Sequence, residues 1–431
     1  MTDRATESSN TKGAANGLLQ RRTFLSGAAA ASTGALAASA LLVATPTASA
    51  RPPALPRSPG QPMRGYGAPA ESEAEVVRQR IRSAPGTTGS GASGTPLQHL
   101  RGTITPSGLH FERHHSGVPT LNPNTHTLTL SGKVNQSLRL NLDTLHRYPM
   151  VTRTQFLECS GNSAVALAPK PLPWNCADIH GLISGSEWTG VPLSTLLEEA
   201  GIAKELENKW VIAEGADAAR MNRSIPMRKC LDDAIIALYQ NGERLRPENG
   251  YPMRLFLPGY EGNMSIKWLH RLEVSDVPAM TREETSKYTD LRPDGRADGF
   301  SFEMGVKSVI TSPSPGLKLN QQGLYQISGL AWSGAGSVRR VEVSADGGNT
   351  WTDASFESTP TPLALARFTT AFDWRGQPAT LLSRATDSAG RTQPTRSAWI
   401  AANGAQSFYH YNAIQLWQVA TSGEVSNVYA A

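Results

Sequence analysis

Phe156-Leu157-Glu158-Cys159-Ser160-Gly161-Asn162 is the stretch on which the reading of this chain turns. An apolar extended run delivers one cysteine to a Ser-Gly-Asn turn, so the thiol sits at the rigid end of a strand and faces whatever cavity lies beyond it. A soft thiolate held that way suits a transition metal. The bland alternative is that Cys159 is a small buried core residue, as most isolated cysteines are. The rest of the cysteine inventory keeps the metal reading open. Only Cys159, Cys176 and Cys230 are present, which allows one disulfide with a thiol left over. The chain has no C-x-x-C pair for a tetrahedral zinc site. It has no C-x-x-C-H haem site and too few thiolates for an iron–sulfur cluster.

Upstream, Phe111-Glu112-Arg113-His114-His115 runs into Gly117-Val118-Pro119. The planar fork of Arg113 fits a tetrahedral oxyanion, and a nearby imidazole can bond a phosphate or a cofactor edge. Adjacent residues on an extended segment point to opposite faces, so His114 and His115 are not expected to share one ion.

With 431 residues, 39% hydrophobic and 18% charged, the chain can bury a sizeable core and is expected to form about two domains. The net charge of +5 is inflated by the basic N-terminal segment and a Pro/Arg stretch after it, and no basic stripe with interleaved aromatics points to nucleic acid. Arg21-Arg22-Thr23-Phe24-Leu25, an Ala-rich apolar run to Val43 and Ala48-Ser49-Ala50 read as a twin-arginine export signal over residues 1–50, with a mature start near Arg51. The alternative, a membrane helix, is disfavoured by the Ser, Thr and Gly that interrupt the run. The mature protein is therefore expected in the periplasm, or exported by the Tat pathway, without a membrane span.

Residues 51–95 are rich in Pro, Gly, Ser and Ala, broken by a charged helix-like stretch from Glu71 to Arg82, and read as a linker or mobile arm. Residues 96–301 mix short strands such as Leu128-Thr129-Leu130 with a helix at Leu193 to Ala200. Without βαβ regularity, the expected class is α+β. From residue 302 to 431 the helices disappear. Tyr325-Gln326-Ile327-Ser328, Val338 to Ser344, Phe368 to Phe372 and Thr380 to Ala385 alternate, with turns such as Asp346-Gly347-Gly348-Asn349, predicting an all-β immunoglobulin-like sandwich.

Taken in order from about residue 100 to 425, these segments resemble the sulfite oxidase family of molybdopterin enzymes, and within it the molybdenum subunits of periplasmic Sox sulfur-oxidation systems. In that family an F-x-R-x-H segment supplies a substrate arginine and a cofactor histidine, which fall on Arg113 and His115, with Phe111 on the cofactor side. The family's C-x-G-N turn falls on Cys159 to Asn162, making Cys159 the sulfur ligand of the metal. Glu187-Trp188-Thr189-Gly190-Val191-Pro192-Leu193 resembles the family's entry to a helix, and Glu214-Gly215-Ala216-Asp217 a segment whose acid, here Asp217, binds the pterin. Gly250-Tyr251-Pro252-Met253-Arg254, Pro258-Gly259 and Ser265-Ile266-Lys267-Trp268-Leu269 match a run in which Arg254, Ser265 and Lys267 hold phosphate and pterin. Ser286-Lys287-Tyr288 places Tyr288 where the family has an active-site tyrosine. Each alone has an ordinary reading: Trp268 and Leu269 as core, Lys267 and Arg254 as surface charges, Tyr288 as packing. Val341-Glu342-Val343-Ser344, Asp346-Gly347-Gly348, Trp351 and Ala385-Thr386-Asp387-Ser388-Ala389-Gly390 resemble the family's dimerisation domain. Two departures stand out. Animal sulfite oxidases carry a second arginine where this chain has Ala164, and a histidine where it has Asn249, so the pocket is less cationic.

The resemblance implies an α+β molybdopterin-binding domain, a molybdenum-molybdopterin cofactor and oxidation of sulfite or of protein-bound sulfane sulfur. Arg113 would hold the anionic substrate and Tyr288 would orient it, neither acting as a general base. The chain lacks a haem site, and it lacks the G-x-G-x-x-G loop of a bound dinucleotide. A separate c-type cytochrome is thus the expected acceptor and a sulfur-carrier protein a further partner. The expected assembly is a homodimer or a heterotetramer with a cytochrome subunit. Two other readings compete: a periplasmic methionine-sulfoxide reductase, whose relatives lack the sandwich, and a non-catalytic exported binding module in which Cys159 is mere core.

Overall fold

Val151–Glu158 is the strand that carries the decisive turn, and its position explains most of what surrounds the site. The structure, a computed structural model, describes residues 62–82, 88–202 and 208–429; the twin-arginine segment lies outside the described residues. Val151–Glu158 pairs antiparallel with Ile183–Pro192 along its whole length. The sheet continues through Ile235–Gln240 to Glu243–Arg244, with Arg254–Phe256 paired on Ile235–Gln240. A second sheet has the order Leu138–Asn141, Thr127–Gly132, Leu269–Ser275, Trp210–Gly215, Asn222–Pro226, with Thr127–Gly132 and Leu269–Ser275 parallel. Between these sheets lies an aliphatic core that includes Leu128, Leu130, Leu238, Leu255 and Leu272. The helix Leu193–Ala200 closes it, burying Leu193, Leu196, Leu197 and Ala200 at helical spacing and ending at Gly201, whose φ of 70° is left-handed. The α+β expectation and this helix therefore agree with the structure.

Two expectations need correction. The charged stretch from Glu71 to Arg82 is a short 3-10 turn, Glu71–Glu73, followed by a strand, Gln79–Arg82. That strand pairs with Gly91–Gly94, which in turn pairs with Glu112–His114. Part of the expected arm thus forms the sheet that presents Arg113. The composition of Gly91-Ala92-Ser93-Gly94 reads as linker, yet side chains this small let two backbones pair closely on either side. The pairing is a tertiary event that composition does not report. Second, helices do not vanish after residue 302. Arg396–Asn403 is an α-helix capped by the Thr395 hydroxyl, which accepts from the Ala398 N–H, and its Trp399 packs edge-on against Tyr411.

Beyond residue 302 two antiparallel sheets face each other as an immunoglobulin-like sandwich. One runs Lys307–Ser312, Gly323–Trp332, Ala366–Trp374, Ser355–Phe356, and the other Thr352–Asp353, Val338–Ser344, Ala379–Asp387, Leu416–Val419, Val425–Val428. Trp332, Phe368, Leu381 and Trp417 fill it, and the same apolar cluster continues into Phe156, Cys176, Ile179 and Ile183. The sandwich is therefore docked on the back of the cysteine strand, and the described residues from Pro69 onward form one compact unit. No helix among the described residues is long and apolar enough to cross a membrane.

Candidate active site

Cys159 leaves the strand end with its N–H bonded to the Leu182 carbonyl at 3.0 Å, while its own carbonyl accepts from the Asn162 N–H at 2.9 Å. Asn162 fixes the turn from inside. Its Oδ1 accepts from the Leu182 N–H at 3.1 Å and its Nδ2 donates to Glu158 Oε1 at 2.9 Å. Strand alternation turns Glu158 toward the sandwich and Cys159 the other way, into a cavity. Burial pushes the Cys159 thiol pKa up, an effect that Arg113 and a Gly161 backbone bond oppose.

The structure gathers all nine residues singled out in the sequence on the walls of this one cavity: Phe111, Arg113, His115, Cys159, Asp217, Arg254, Ser265, Lys267 and Tyr288. Arg254 is 2% exposed and lies over the Trp188 ring. Its Nη1 and Nη2 donate to the Asn249 and Ser265 carbonyls at 3.0 and 2.9 Å. Its Nε has no partner, and burial lowers its pKa to about 9. Lys267 Nζ donates to His114 Nδ1 at 2.8 Å and to the carbonyls of Arg113 and Glu248 at 3.2 and 3.1 Å. Burial, with Arg254 second, depresses its pKa well below the ordinary value. His114 then gives its other ring nitrogen to Glu112 at 2.6 Å. His114 and His115 do diverge: His115 Nε2 meets the Tyr288 hydroxyl at 2.9 Å instead. Tyr288 occupies left-handed backbone, φ 51°, under the Arg223 guanidinium and against the Tyr409 ring. Burial raises its hydroxyl pKa, so at neutral pH it is a proton-bearing donor.

Asn249 donates to Gln240 Oε1 at 2.8 Å and lines the cavity, while Ala164 is buried at the start of a 3-10 turn. Two further wall residues had no signal in the sequence reading: His110, which precedes the Phe111 segment, and Asn263, which lies within the run from Pro258 to Leu269. Both hold a buried polar atom without a partner, His110 Nε2 and Asn263 Oδ1.

This donor set passes a test of fit for a large polar, partly anionic cofactor. Arg254 and Lys267 line a cavity that also holds a soft sulfur, and the Arg254 Nε is buried without a partner, which is costly. Among the described residues no three His, Cys, Asp or Glu side chains gather as a metal cluster. A metal at Cys159 would take its other donors from another molecule.

One consequence is measurable as acid lability. Burial, then Arg113, lowers the His115 pKa from 6.5 to about 4, and burial lowers that of His110 to about 3. Unfolding lets both imidazoles take up protons, so the unfolded chain binds more protons below pH about 6.5. Stability should be full above that pH and fall as the pH drops toward about 4. Urea midpoints at pH 7 and pH 5 check this, and an equal or higher midpoint at pH 5 would contradict it.

Comparison with known proteins places the geometry in context. Residues 115–283 match the family described as the oxidoreductase molybdopterin binding domain, and residues 299–417 that described as the Mo-co oxidoreductase dimerisation domain. Mitochondrial sulfite oxidase of Mus musculus is 34% identical over 276 residues, covering 59% of this chain and 50% of the relative. Nitrate reductase [NADH] of Ulva prolifera is 29% identical over 334 residues, covering 69% and 39%. The chain thus spans half or less of the length of these two curated relatives. The crystal structure of the sulfane dehydrogenase SoxCD from Paracoccus pantotrophus superposes with a TM-score of 0.84 and 45% identity, over 87% of this chain and 96% of that one.

Proposed function

This chain belongs to the sulfite oxidase family of molybdopterin oxidoreductases, and from that premise we propose that it oxidises sulfite or a protein-borne sulfane sulfur and passes the electrons to a separate c-type cytochrome. Its cofactor is the molybdenum-molybdopterin of that family. The observation that carries the reading is the convergence of Cys159, Arg113 and the His115–Tyr288 pair on one cavity whose remaining walls hold Arg254, with its Nε unpartnered, and Lys267.

When bound, the cofactor supplies a two-electron centre for oxygen-atom transfer to sulfur. Cys159 offers it a soft thiolate on a strand end that cannot shift without breaking the Asn162 turn. Arg254 and Lys267 are the cations for its phosphate and pterin, with Ser265, Asp217, His115 and Phe111 completing the wall. Arg113 takes the anionic part of the substrate. The Tyr288 hydroxyl, held by His115, turns the substrate toward the centre as a donor and keeps its proton. The match to a dimerisation domain supports a two-fold dimer through the sandwich. The twin-arginine segment supports export to the periplasm.

Replacing Arg113 by alanine should cost one charge-assisted contact, about 1.5–3 kcal/mol, which is roughly 10- to 150-fold in kcat/KM. An unchanged kcat/KM would mean that the anion binds elsewhere. The electron path is tested by reducing the purified protein with sulfite and mixing it rapidly with cytochrome c. Electron transfer to the cytochrome is expected, whereas reduction of added NAD without any transfer to cytochrome would overturn the proposal.

A further inference from the structure

Arg78 stands just before the strand Gln79–Arg82, in the stretch whose composition reads as linker. Its Nη1 alone reaches three oxygens: one of the Glu112 carboxylate, Glu248 Oε1 at 3.6 Å and the His110 carbonyl at 3.4 Å. His110 and Glu248 line the active-site cavity and Arg78 does not, so one cation ties two wall segments together from behind. The arm that carries it is itself fixed. Gln79–Arg82 pairs on Gly91–Gly94, and that strand pairs on Glu112–His114. Ser90 Oγ donates to the His114 carbonyl at 3.3 Å, and Gly89 crosses Gly117 so closely that a Cβ on it would stand 2.7 Å from the Gly117 Cα.

From the cavity side, Lys267 joins the same two segments. Its Nζ donates to the Arg113 carbonyl and His114 Nδ1 on one, at 3.2 and 2.8 Å, and to the Glu248 carbonyl on the other, at 3.1 Å. An ammonium has three hydrogens, so the protein takes all of them. A lysine that is to hold phosphate or pterin must therefore give up at least one of these contacts, and with it part of what closes the wall. Trp268 keeps a share of the closure, stacking on His114 and donating to the Pro247 carbonyl at 2.8 Å. Arg78 supplies the charged share. Glu112 turns one oxygen to Arg78 and accepts from His114 Nε2 at the other, at 2.6 Å, which leaves His114 Nδ1 as the acceptor that faces Lys267. Without Arg78, the Glu112 and Glu248 carboxylates would lose their common cation and repel each other, parting the segments they belong to.

We propose that Arg78 is a positioning residue for the cofactor: it holds the Phe111–His115 segment to the Glu248 segment, so that Lys267 can turn a hydrogen from the protein to the phosphate or pterin without the wall opening. The inference rests on the assignment of Lys267 as a cofactor cation. It makes the arm's Arg78 a part of the cofactor site.

The test follows, by fluorescence of the filtrate, the pterin released on incubation of purified holoenzyme carrying Arg78→Met, Arg78→Lys or Lys267→Met, alongside urea midpoints of the cofactor-free proteins. Arg78→Met is expected to release pterin about tenfold faster than the unaltered enzyme, the lower end of the range for outer-shell partners of a ligand group. Its cofactor-free midpoint should stay unchanged, because a partly exposed ion pair contributes little to folding by itself. Arg78→Lys should restore slow release, since a single nitrogen makes all three contacts. Release from Arg78→Met at the rate of the unaltered enzyme would overturn the proposal. Faster release together with a clearly lower cofactor-free midpoint would also overturn it, as the mark of a residue that only stabilises the fold. Lys267→Met separates this proposal from the reading beneath it. Faster release from Lys267→Met with normal release from Arg78→Met defeats the role of Arg78 alone, whereas normal release from Lys267→Met defeats the assignment of Lys267 and the proposal with it.

Discussion

Cys159→Ser is expected to abolish sulfur oxidation while leaving the fold intact. A serine hydroxyl fills nearly the same space, and the turn around it is held by backbone bonds and by Asn162, not by the thiol. What changes is the donor: a hard oxygen with a far higher pKa replaces the soft thiolate, and transition-metal affinity and electronics follow donor softness. The cations on the wall remain, so the variant should still take up the pterin. The check is sulfite-dependent cytochrome c reduction alongside a urea unfolding curve. Near-normal turnover in a folded variant would remove Cys159 from the chemistry and restore its reading as a core residue.

Lys307→Met is expected to produce the largest loss of stability. Lys307 and Glu158 are each 1% exposed and 3.2 Å apart. The ammonium also donates to Ser163 Oγ at 2.7 Å and to the Tyr411 carbonyl at 2.9 Å. Glu158 in turn accepts from Trp332 Nε1 at 2.6 Å and from Asn162 at 2.9 Å. The pair bridges the sandwich to the residue preceding Cys159. Burial lowers the Lys307 pKa, and Glu158 works against that drop. Removing the lysine alone strands a buried carboxylate at the interface, a change that costs about 3–5 kcal/mol in comparable pairs. Adding Glu158→Gln should recover part of the loss, because the uncompensated charge goes with it. An unchanged urea midpoint in Lys307→Met would show that the pair does not hold the two domains together.

The helix Leu193–Ala200 was legible because its four buried positions repeat at helical spacing. Val338–Ser344 was legible because strand propensity and turn residues agree there. The site residues were legible as a family pattern, and the cavity brings them together from segments that period and propensity do not connect. Other features have no local signature. Gly91–Gly94 is a strand only through its partners on either side, and Arg396–Asn403 is a short helix whose Trp399 is settled by Tyr411. Lys307 meets Glu158 across 149 residues of chain, and Asn263 owes its orientation to Glu261 and Ser160. Such residues acquire a role from neighbours that only folding supplies, so their types alone could not mark them.

The central claim, that Cys159 binds the molybdenum of a sulfur-oxidising centre, is tested most directly by X-ray absorption at the molybdenum edge of the purified protein and of Cys159→Ser. The account predicts molybdenum in both, with one fewer sulfur neighbour in the variant. Absence of molybdenum from the unaltered protein, or the same number of sulfur neighbours in both, would contradict it.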